Sequence, residues 1–382
     1  MAWSIPLFDL DVDEQEVEAL RRAIESRWIS MGQATHEFEE RFAKAHDAEY
    51  GVAVSSATAA LHLALLALDI GPGDEVICPS LTFVATSNAA LYVGATPVFA
   101  DIASPDNLTI SAEDIERKLT ERTRAIIVMH YGGFPCDMDA INEVARRAGC
   151  VVVEDAAHAP LTEYRGKKVG TLSDAGCFSF FSNKNMTTAE GGMLLTNNSN
   201  VAERVRLLRS HGMTTLSYDR FSGHASSYDV VDLGYNYRLD DIRASLGLVQ
   251  LEKLPAASEK RRALWEIYRS RLSEVEGVIV PFGAAQPEDG AWLGQPYIFT
   301  IVLAYGQDRD RLRNELAEAG IQTSVHYPPV HLFKIYQDRF GYRQGDLPIT
   351  ESVASSIVTL PFYPSMTVED VDYVVSAVRK AL

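Results

Sequence analysis

Residues 151–193 read VVVEDAAHAPLTEYRGKKVGTLSDAGCFSFFSNKNMTTAEGGM, and this stretch decides the fold. A short apolar run at 151–153 is followed by two carboxylates, of which Asp155 is the second. An aromatic-rich run at 177–181 is followed at once by an uncharged polar loop that holds a single lysine, Lys184. We interpret both runs as buried strands, so an acid ends one strand and a lysine follows the other.

A lysine and an acid in this arrangement can hold an electron-poor heterocycle. The acid pairs with a ring nitrogen, and the lysine forms a Schiff base with an aldehyde. A charged ammonium near the end of a sheet is costly unless it is paired or used chemically. Lys167 and Lys168 lie in the turn-forming sequence EYRGKKVG and are expected in a solvated hairpin. The stretch therefore predicts a pyridoxal 5′-phosphate (PLP) site built on Lys184 and Asp155.

Two other kinds of catalytic site fit the sequence less well. A Ser/His/Asp hydrolase is expected to carry a G-x-S-x-G elbow, which this sequence lacks. His130, His158 and His211 have no close His, Cys or carboxylate spacing of the kind that metal sites show. We therefore predict no metal site.

Composition narrows the class of protein. The net charge of −17 argues against a nucleic-acid partner, although a local basic pocket could still take a small anionic ligand. No apolar run approaches the ~20 residues that span a membrane, and the N-terminus lacks the basic and apolar regions of a signal peptide. The four cysteines show no CxxC spacing and are expected to be free thiols. These features predict a cytoplasmic protein without a membrane partner.

Upstream of the opening stretch, short predicted strands alternate with predicted helices. This alternation is typical of βαβ units and indicates an α/β fold with a mostly parallel sheet flanked by helices. Ser56, Phe83, His130 and Asp155 all follow predicted strands. Because such sheets bind ligands at the carboxyl ends of their strands, these side chains are expected to lie around one site.

Residues Ser56, Ala57 and Thr58 join a predicted strand to a strongly helical run. Free N–H groups at the start of that helix could cradle a phosphate. Ser56 could equally be an ordinary N-cap on a well-packed helix. The sequence contains no glycine-rich phosphate loop, so both interpretations stay open on these residues alone.

Pro255 separates two predicted helices, at 240–254 and 257–272, and marks the expected domain boundary. The prediction is a large domain at 1–254 and a smaller C-terminal α/β domain at 255–382. The polar segment 211–232 is long for a loop in a compact domain, which indicates a functional or mobile segment. Near the N-terminus, residues 13–26 predict an amphipathic helix with Val17, Leu20 and Ile24 on its apolar face.

Several blocks of the sequence, in order and nearly from end to end, resemble the DegT/DnrJ/StrS family of PLP-dependent sugar aminotransferases. That family has the fold-type I architecture of the aspartate aminotransferase superfamily. The blocks are SSATAALHLAL (55–65), PSLTFVATSNAALYVGATPVFAD (79–101), HYGGFPCDMDAI (130–141), VVEDAAHA (152–159), FSFFSNKNMTTAEGGM (178–193), GYNYRLDDIRASLGLVQL (234–251), VHYPP (325–329), LPITE (347–351) and LPFYPSMT (360–367).

The resemblance implies a role for residues in these blocks. Lys184 matches the lysine that binds the cofactor, and Asp155 matches the acid on the pyridine nitrogen. The other matched cofactor residues stack on the ring, bind its phenolic oxygen or hold its phosphate: Phe83, His158, Ser56, Ala57, Thr58 and Ser179.

The resemblance also implies a homodimer with shared sites. Asn236 matches a phosphate ligand that reaches in from the second subunit. Arg238, His326 and Tyr327 fall where family members border the substrate pocket. The implied reaction moves an amino group from L-glutamate to a keto group, at C4 or C3, of a nucleotide-linked deoxysugar.

The sequence leaves other functions open. Within the family, these are amination of a keto-inositol or formation of an aminohydroxybenzoate. Outside it, the chain could be a non-catalytic regulator that keeps the fold, although the intact Lys184 and Asp155 argue against that. Two positions depart from the usual family pattern, with Ala57 and Ala189 standing where glycine is common.

Overall fold

The computed structural model describes residues 3–215, 227–283, 292–304 and 306–382. The described helices are α1 (Glu14–Glu25), α2 (Gln33–Ala45), α3 (Ala57–Ala67), α4 (Ala85–Tyr92), α5 (Ala112–Lys118), α6 (Met138–Ala148), α7 (Ser199–Leu208), α8 (Asp241–Leu272), α9 (Arg309–Glu318), α10 (Lys334–Phe340), α11 (Pro348–Ser356) and α12 (Val368–Ala381).

The described strands are β1 (Tyr50–Val54), β2 (Glu75–Pro79), β3 (Thr96–Ala100), β4 (Ile102–Ser104), β5 (Asn107–Ile110), β6 (Thr123–Met129), β7 (Val151–Asp155), β8 (Glu163–Tyr164), β9 (Lys167–Lys168), β10 (Ala175–Ser179), β11 (Gly192–Thr196), β12 (Val278–Ile279), β13 (Trp292–Leu293), β14 (Phe299–Leu303) and β15 (Ile357–Leu360).

A seven-stranded sheet in the order β1-β11-β10-β7-β6-β2-β3 forms the centre of the molecule. Strand β11 runs antiparallel to its neighbours β1 and β10, and the other pairs are parallel. Its strands are almost wholly buried and rich in Val, Ile and Ala, as expected where helices cover both faces. The predicted α/β fold with a mostly parallel sheet is confirmed.

Strands β7 and β10, the two runs of the opening stretch, are neighbours in this sheet. Their parallel register pairs Cys177 with Asp155, so both strands end at the same edge. The loop after β10 therefore starts beside the acid that ends β7. Lys167 and Lys168 lie in β9, which pairs with β8 in the expected hairpin.

A smaller antiparallel sheet, β12-β14-β15, lies in the C-terminal part of the chain. Its apolar side chains share a core with α8, α9 and α12, built around Phe299, Leu316 and Val374. The division into domains at 1–254 and 255–382 remains a prediction.

The prediction of two helices separated at Pro255 is wrong, because α8 runs through the proline without a break. Proline removes one helical hydrogen bond and costs about 3 kcal/mol in a helix interior. Leu251, Leu254 and Ala257 are buried on both sides of it. Burial of this apolar surface offsets the cost of the proline, so the helix continues.

Helix α1 forms where it was predicted, capped by Asp13, but its buried face was predicted wrongly. Val17 and Ile24 are 53% and 60% exposed. Glu16 is buried instead and binds Gln250 and Lys253 of α8, each at 2.8 Å. The buried face of α1 consists of Glu16, Ala19 and Ala23, and not of Val17 and Ile24 as the apolar periodicity predicted. Among the described residues, no helix is long and apolar enough to cross a bilayer.

Candidate active site

A cavity of about 320 Å³ opens at the carboxyl edge of the central sheet. Most of the residues that the sequence placed at a site line it: Ser56, Ala57, Thr58, Phe83, Asp155, His158, Ser179, Lys184, His326 and Tyr327. They come from the starts of α3 and α4, from the ends of β7 and β10, and from a loop before α10. One pocket therefore collects side chains from widely separated parts of the sequence.

Lys184 lies in the turn after β10, where its backbone N–H donates to the Phe181 carbonyl at 2.9 Å. Its Nζ lies 4.3 Å from the centroid of the Tyr297 ring. Within the part of the chain that the structure describes, this ammonium has no hydrogen-bond partner. Burial lowers the pKa of Lys184 to about 7, although the nearby charge of Asp155 works in the opposite direction. Much of the lysine is therefore neutral near pH 7, and a neutral amine is the form that attacks a carbonyl.

Asp155 ends β7 and is 5% exposed. The hydroxyl of Thr86 donates to its Oδ2 at 2.7 Å, and the N–H of Ala157 donates to its Oδ1 at 3.2 Å. Burial raises the pKa of Asp155, whereas these hydrogen bonds and the charge of Lys184 lower it. The acid is thus firmly held, in contrast with the lysine.

The start of α3 is compatible with both interpretations of its first residues, an N-cap by Ser56 and a cradle for a phosphate. The Ser56 hydroxyl accepts from the N–H of Ala59 at 3.1 Å and caps the helix. A Cβ at Gly192 would lie 2.5–2.7 Å from the backbone of Ser56 and Ala57, so β11 packs directly against this helix start. The first amides of α3 face the cavity beside Ser179, and a helix start of this kind favours an anion. Ala57 is compatible with this geometry.

Ala189, the second departure from the family pattern, follows Lys184 in the same loop. Its φ is +65°, a left-handed conformation that glycine adopts more easily. Its N–H donates to the Thr187 hydroxyl at 2.9 Å, which holds this turn in place. A glycine at this position would adopt the same conformation with less strain.

His158 and Tyr327 close one side of the cavity. The N–H of Gly132 donates to His158 Nδ1 at 3.3 Å, so the imidazole proton lies on Nε2. That nitrogen lies 3.0 Å from the Tyr327 hydroxyl. Burial lowers the pKa of His158 well below its usual value, and this imidazole stays neutral.

Phe83 and His326 also border the cavity. Phe83 is 57% exposed, and its ring lies 6.2 Å from that of Tyr327. His326 Nδ1 lies 2.9 Å from the Thr359 hydroxyl, and Tyr131 donates to its backbone carbonyl. Burial lowers the pKa of His326 to about 4, so its imidazole is also neutral.

Asn236 and Arg238 do not line this cavity. Asn236 is exposed and forms a backbone bridge with Ser210, while Arg238 forms one with Val54. The polar segment 211–232 also cannot be placed in full, because residues 216–226 lie outside the described residues.

The sequence analysis missed several residues that line or support the cavity, among them Thr86, Asn183 and Tyr297. Thr86 could have been predicted, since it lies three residues after Phe83 in the same sequence block. Asn183 accepts a hydrogen bond from Tyr297 at 3.0 Å, and together they hold the aromatic ring against Lys184. No pattern in the sequence around Tyr297 indicates a role at this cavity, because Tyr297 lies far from Lys184 along the chain. Among the described residues, no group of three His, Cys, Asp or Glu could hold a metal ion.

Comparison with known proteins gives consistent matches. A family model described as the DegT/DnrJ/EryC1/StrS aminotransferase family matches residues 10–379. The spore coat polysaccharide biosynthesis protein SpsC of Bacillus subtilis is 40% identical over 382 residues, covering 99% of this chain and 96% of SpsC.

Two solved structures share the whole architecture. DesV of S. venezuelae superposes with a TM-score of 0.91 at 34% identity, covering 100% of this chain and 98% of DesV. Spr1654 of Streptococcus pneumoniae, in its PLP form, superposes with a TM-score of 0.89 at 30% identity, covering 100% of this chain and 99% of that one.

Proposed function

Because the chain belongs to the DegT/DnrJ/EryC1/StrS aminotransferase family, we propose that it moves an amino group from L-glutamate to a keto group, at C4 or C3, of a nucleotide-linked deoxysugar. The chain is a sugar aminotransferase, and its cofactor is PLP. One observation supports a catalytic role for Lys184 and Asp155. The lysine, which is unpaired and has a lowered pKa, and the firmly held acid line the same cavity.

The residues of the cavity fit PLP. We propose that Lys184 binds its aldehyde, Asp155 its ring nitrogen and His158 its phenolic oxygen. Phe83 would stack on the ring. The amides of Ala57 and Thr58 and the hydroxyl of Ser179 would hold the phosphate, and Ser56 caps that helix start. The close approach of Gly192 supports this assignment, because a side chain there would displace the first amides of α3.

When bound, PLP supplies an aldehyde that takes up the amino group and a ring that withdraws electrons from the substrate carbon. Lys184 Nζ, once released from the cofactor, would take a proton from the donor carbon that carries the amino group and give it to the cofactor carbon that carried the aldehyde oxygen. In the second half of the reaction, the same nitrogen would move a proton from that carbon to the acceptor carbon that carried the keto oxygen. Asp155 would keep a proton at the ring nitrogen throughout. His326 and Tyr327 border the space left for the sugar.

We further propose a homodimer in which Asn236 and Arg238 complete the cavity of the partner subunit. Their position outside this chain's own cavity supports the idea, as do the exposed apolar residues Phe83 and Phe181 at its edge. A monomeric mass in solution together with full activity would contradict it.

We also propose that the protein is cytoplasmic. The proposal is based on the buried free thiols of the chain, because free thiols suit a reducing compartment.

A mass-spectrometric screen of keto-sugar nucleotides with L-glutamate tests the proposed reaction. We expect one nucleotide sugar to gain an amino group and hydrogen in place of its keto oxygen, with equal formation of 2-oxoglutarate. The Lys184→Met protein is the control and should form neither product. Amination of a keto-inositol, with no nucleotide sugar converted, would instead support the cyclitol alternative.

A further inference from the structure

Three side-chain oxygens form a short chain behind the cavity. The hydroxyls of Thr82 and Thr86 lie 2.7 Å apart, and Thr86 Oγ1 lies 2.7 Å from Asp155 Oδ2. Both threonines are buried, at 1% and 0% exposure. The only other hydrogen bond to the Asp155 carboxylate within the described residues comes from the backbone N–H of Ala157. Thr86 is therefore the one side chain seen to donate to this acid.

The direction of the chain follows from the acid. An ionised carboxylate can only accept, so the Thr86 proton points to Asp155. The oxygen of Thr86 is then free to accept the proton of Thr82. Each bond polarises the next in such a chain, and a hydrogen bond to a charged acceptor is stronger than a neutral one. Thr82 thus strengthens the bond that Thr86 makes.

The two threonines lie on either side of Phe83 in the sequence. Thr82 precedes it, and Thr86 is the second residue of α4. The segment 82–86 therefore carries both the aromatic ring at the face of the cavity and the hydroxyl that binds the acid. A movement of this segment would change both contacts together.

We propose that Thr86, supported by Thr82, is a positioning residue that keeps Asp155 ionised and oriented toward the ring nitrogen of the cofactor. This inference rests on the proposed role of Asp155. The bond from Thr86 opposes the effect of burial, which raises the pKa of Asp155. Two charged or titratable groups near the acid, Lys184 and His130, also favour its ionised form. The Cys177 thiol and the Tyr327 phenol lie within reach of its charge as well, and burial together with that charge raises the pKa of both groups.

The test is to measure how strongly the ring nitrogen holds its proton. The wild-type holoenzyme and its variants are loaded with PLP carrying ¹⁵N in the ring, and the nitrogen chemical shift is recorded. Thr86→Val keeps the shape of the side chain but removes the hydroxyl. Without that donor the carboxylate becomes more basic and draws the shared proton toward itself. We expect the signal to move toward that of an unprotonated ring, and kcat to fall about tenfold, the equivalent of one hydrogen bond to a charge, with KM for the sugar unchanged.

Two further variants make the test decisive. Thr86→Ser keeps the hydroxyl and should retain the wild-type signal, whereas Thr82→Val should move it in the same direction by less than Thr86→Val. A wild-type signal in Thr86→Val would overturn the inference. If Thr86→Val does not fold, an unchanged signal in Thr82→Val would overturn it instead. A wild-type enzyme whose ring nitrogen is unprotonated would contradict the role of Asp155 itself, which distinguishes that failure from this one.

Discussion

Two interior cations of this protein, the buried Arg209 and the half-buried Lys184, have opposite surroundings. Arg209 is 1% exposed, donates to the Ala53 carbonyl at 2.7 Å and forms an ion pair with Glu39. Glu39 also accepts from the N–H of Ala53 at 2.8 Å. Despite its burial, the pKa of Glu39 is lowered by the charge of Arg209. This ion pair ties α2 and β1 to the end of α7.

Lys184 has an aromatic ring beside it instead of a counter-ion. The charge of Asp155 favours the ammonium but does not offset the effect of burial, which lowers the pKa of Lys184 toward the neutral amine. The comparison shows how one fold uses an interior cation in two ways. A cation with partners holds the structure together, and a cation left without them becomes reactive.

Replacing Lys184 by Met gives the largest effect and tests the reactive half of this comparison. The stem is kept, but the base and the covalent link to the cofactor are lost. We expect the transamination rate to fall by roughly 10⁴-fold. The free energy of unfolding should not fall, because removal of an unpaired buried amine relieves its desolvation. Single-turnover kinetics and denaturant unfolding measure the two quantities.

Lys167→Met is the matched control for that variant. Lys167 lies exposed in the β8–β9 hairpin, and its replacement should leave both quantities unchanged. Measurable turnover in Lys184→Met, within tenfold of wild type, would show that another residue moves the proton.

The same substitution at Arg209 tests the structural half of the comparison. Arg209→Met leaves the buried Glu39 without its guanidinium partner, while the Ala53 N–H and His36 still contact it, and this is expected to cost about 3–5 kcal/mol of unfolding free energy. Denaturant unfolding measures this loss. The double variant with Glu39→Gln removes the stranded charge and should recover part of the stability.

A surface ion pair provides the control for Arg209. Arg204 pairs with Asp69, but these side chains are 37% and 81% exposed. Arg204→Met should change the free energy of unfolding by less than about 1 kcal/mol. Equal losses from the two arginine variants would show that burial does not separate the two pairs.

The central part of the site could be predicted from the sequence. Asp155 and Lys184 follow neighbouring strand ends, and the parallel register of β7 and β10 brings them to one edge. The local pattern of apolar runs is enough to indicate both strands. Thr86 and Phe83 could be reached for the same reason, since they follow β2 at the same edge of the sheet.

Other features depend on contacts that no local pattern contains. Tyr297 meets Lys184 only because the segment before β14 folds back over the cavity. Pro255 suggested a helix end, but burial of the side chains around it keeps α8 continuous. The apolar periodicity of α1 predicted a helix correctly, yet the face that is buried carries two alanines and Glu16, which pairs with Lys253 of a distant helix.

The smallest predicted effect concerns the pH at which Lys184 reacts. Only the neutral amine attacks the aldehyde of PLP, and the pKa of Lys184 is about 7. In protein freed of cofactor, the rate of covalent PLP binding should therefore fall about tenfold per pH unit below that value and level off above it. Stopped-flow absorbance at a series of pH values measures this profile.

Variants of Tyr297 test whether its ring sets the midpoint of this pH profile. Its ring favours the charged ammonium, so Tyr297→Leu should move the midpoint down by about half a pH unit, the equivalent of an exposed cation–π contact. Tyr297→Phe keeps the ring and loses only the hydroxyl bonded to Asn183, and should leave the midpoint in place. A midpoint that rises in Tyr297→Leu would mean that the ring acts on Lys184 mainly by excluding water. In that case Lys184 would lack even a weak partner, and the contrast with Arg209 would be sharper.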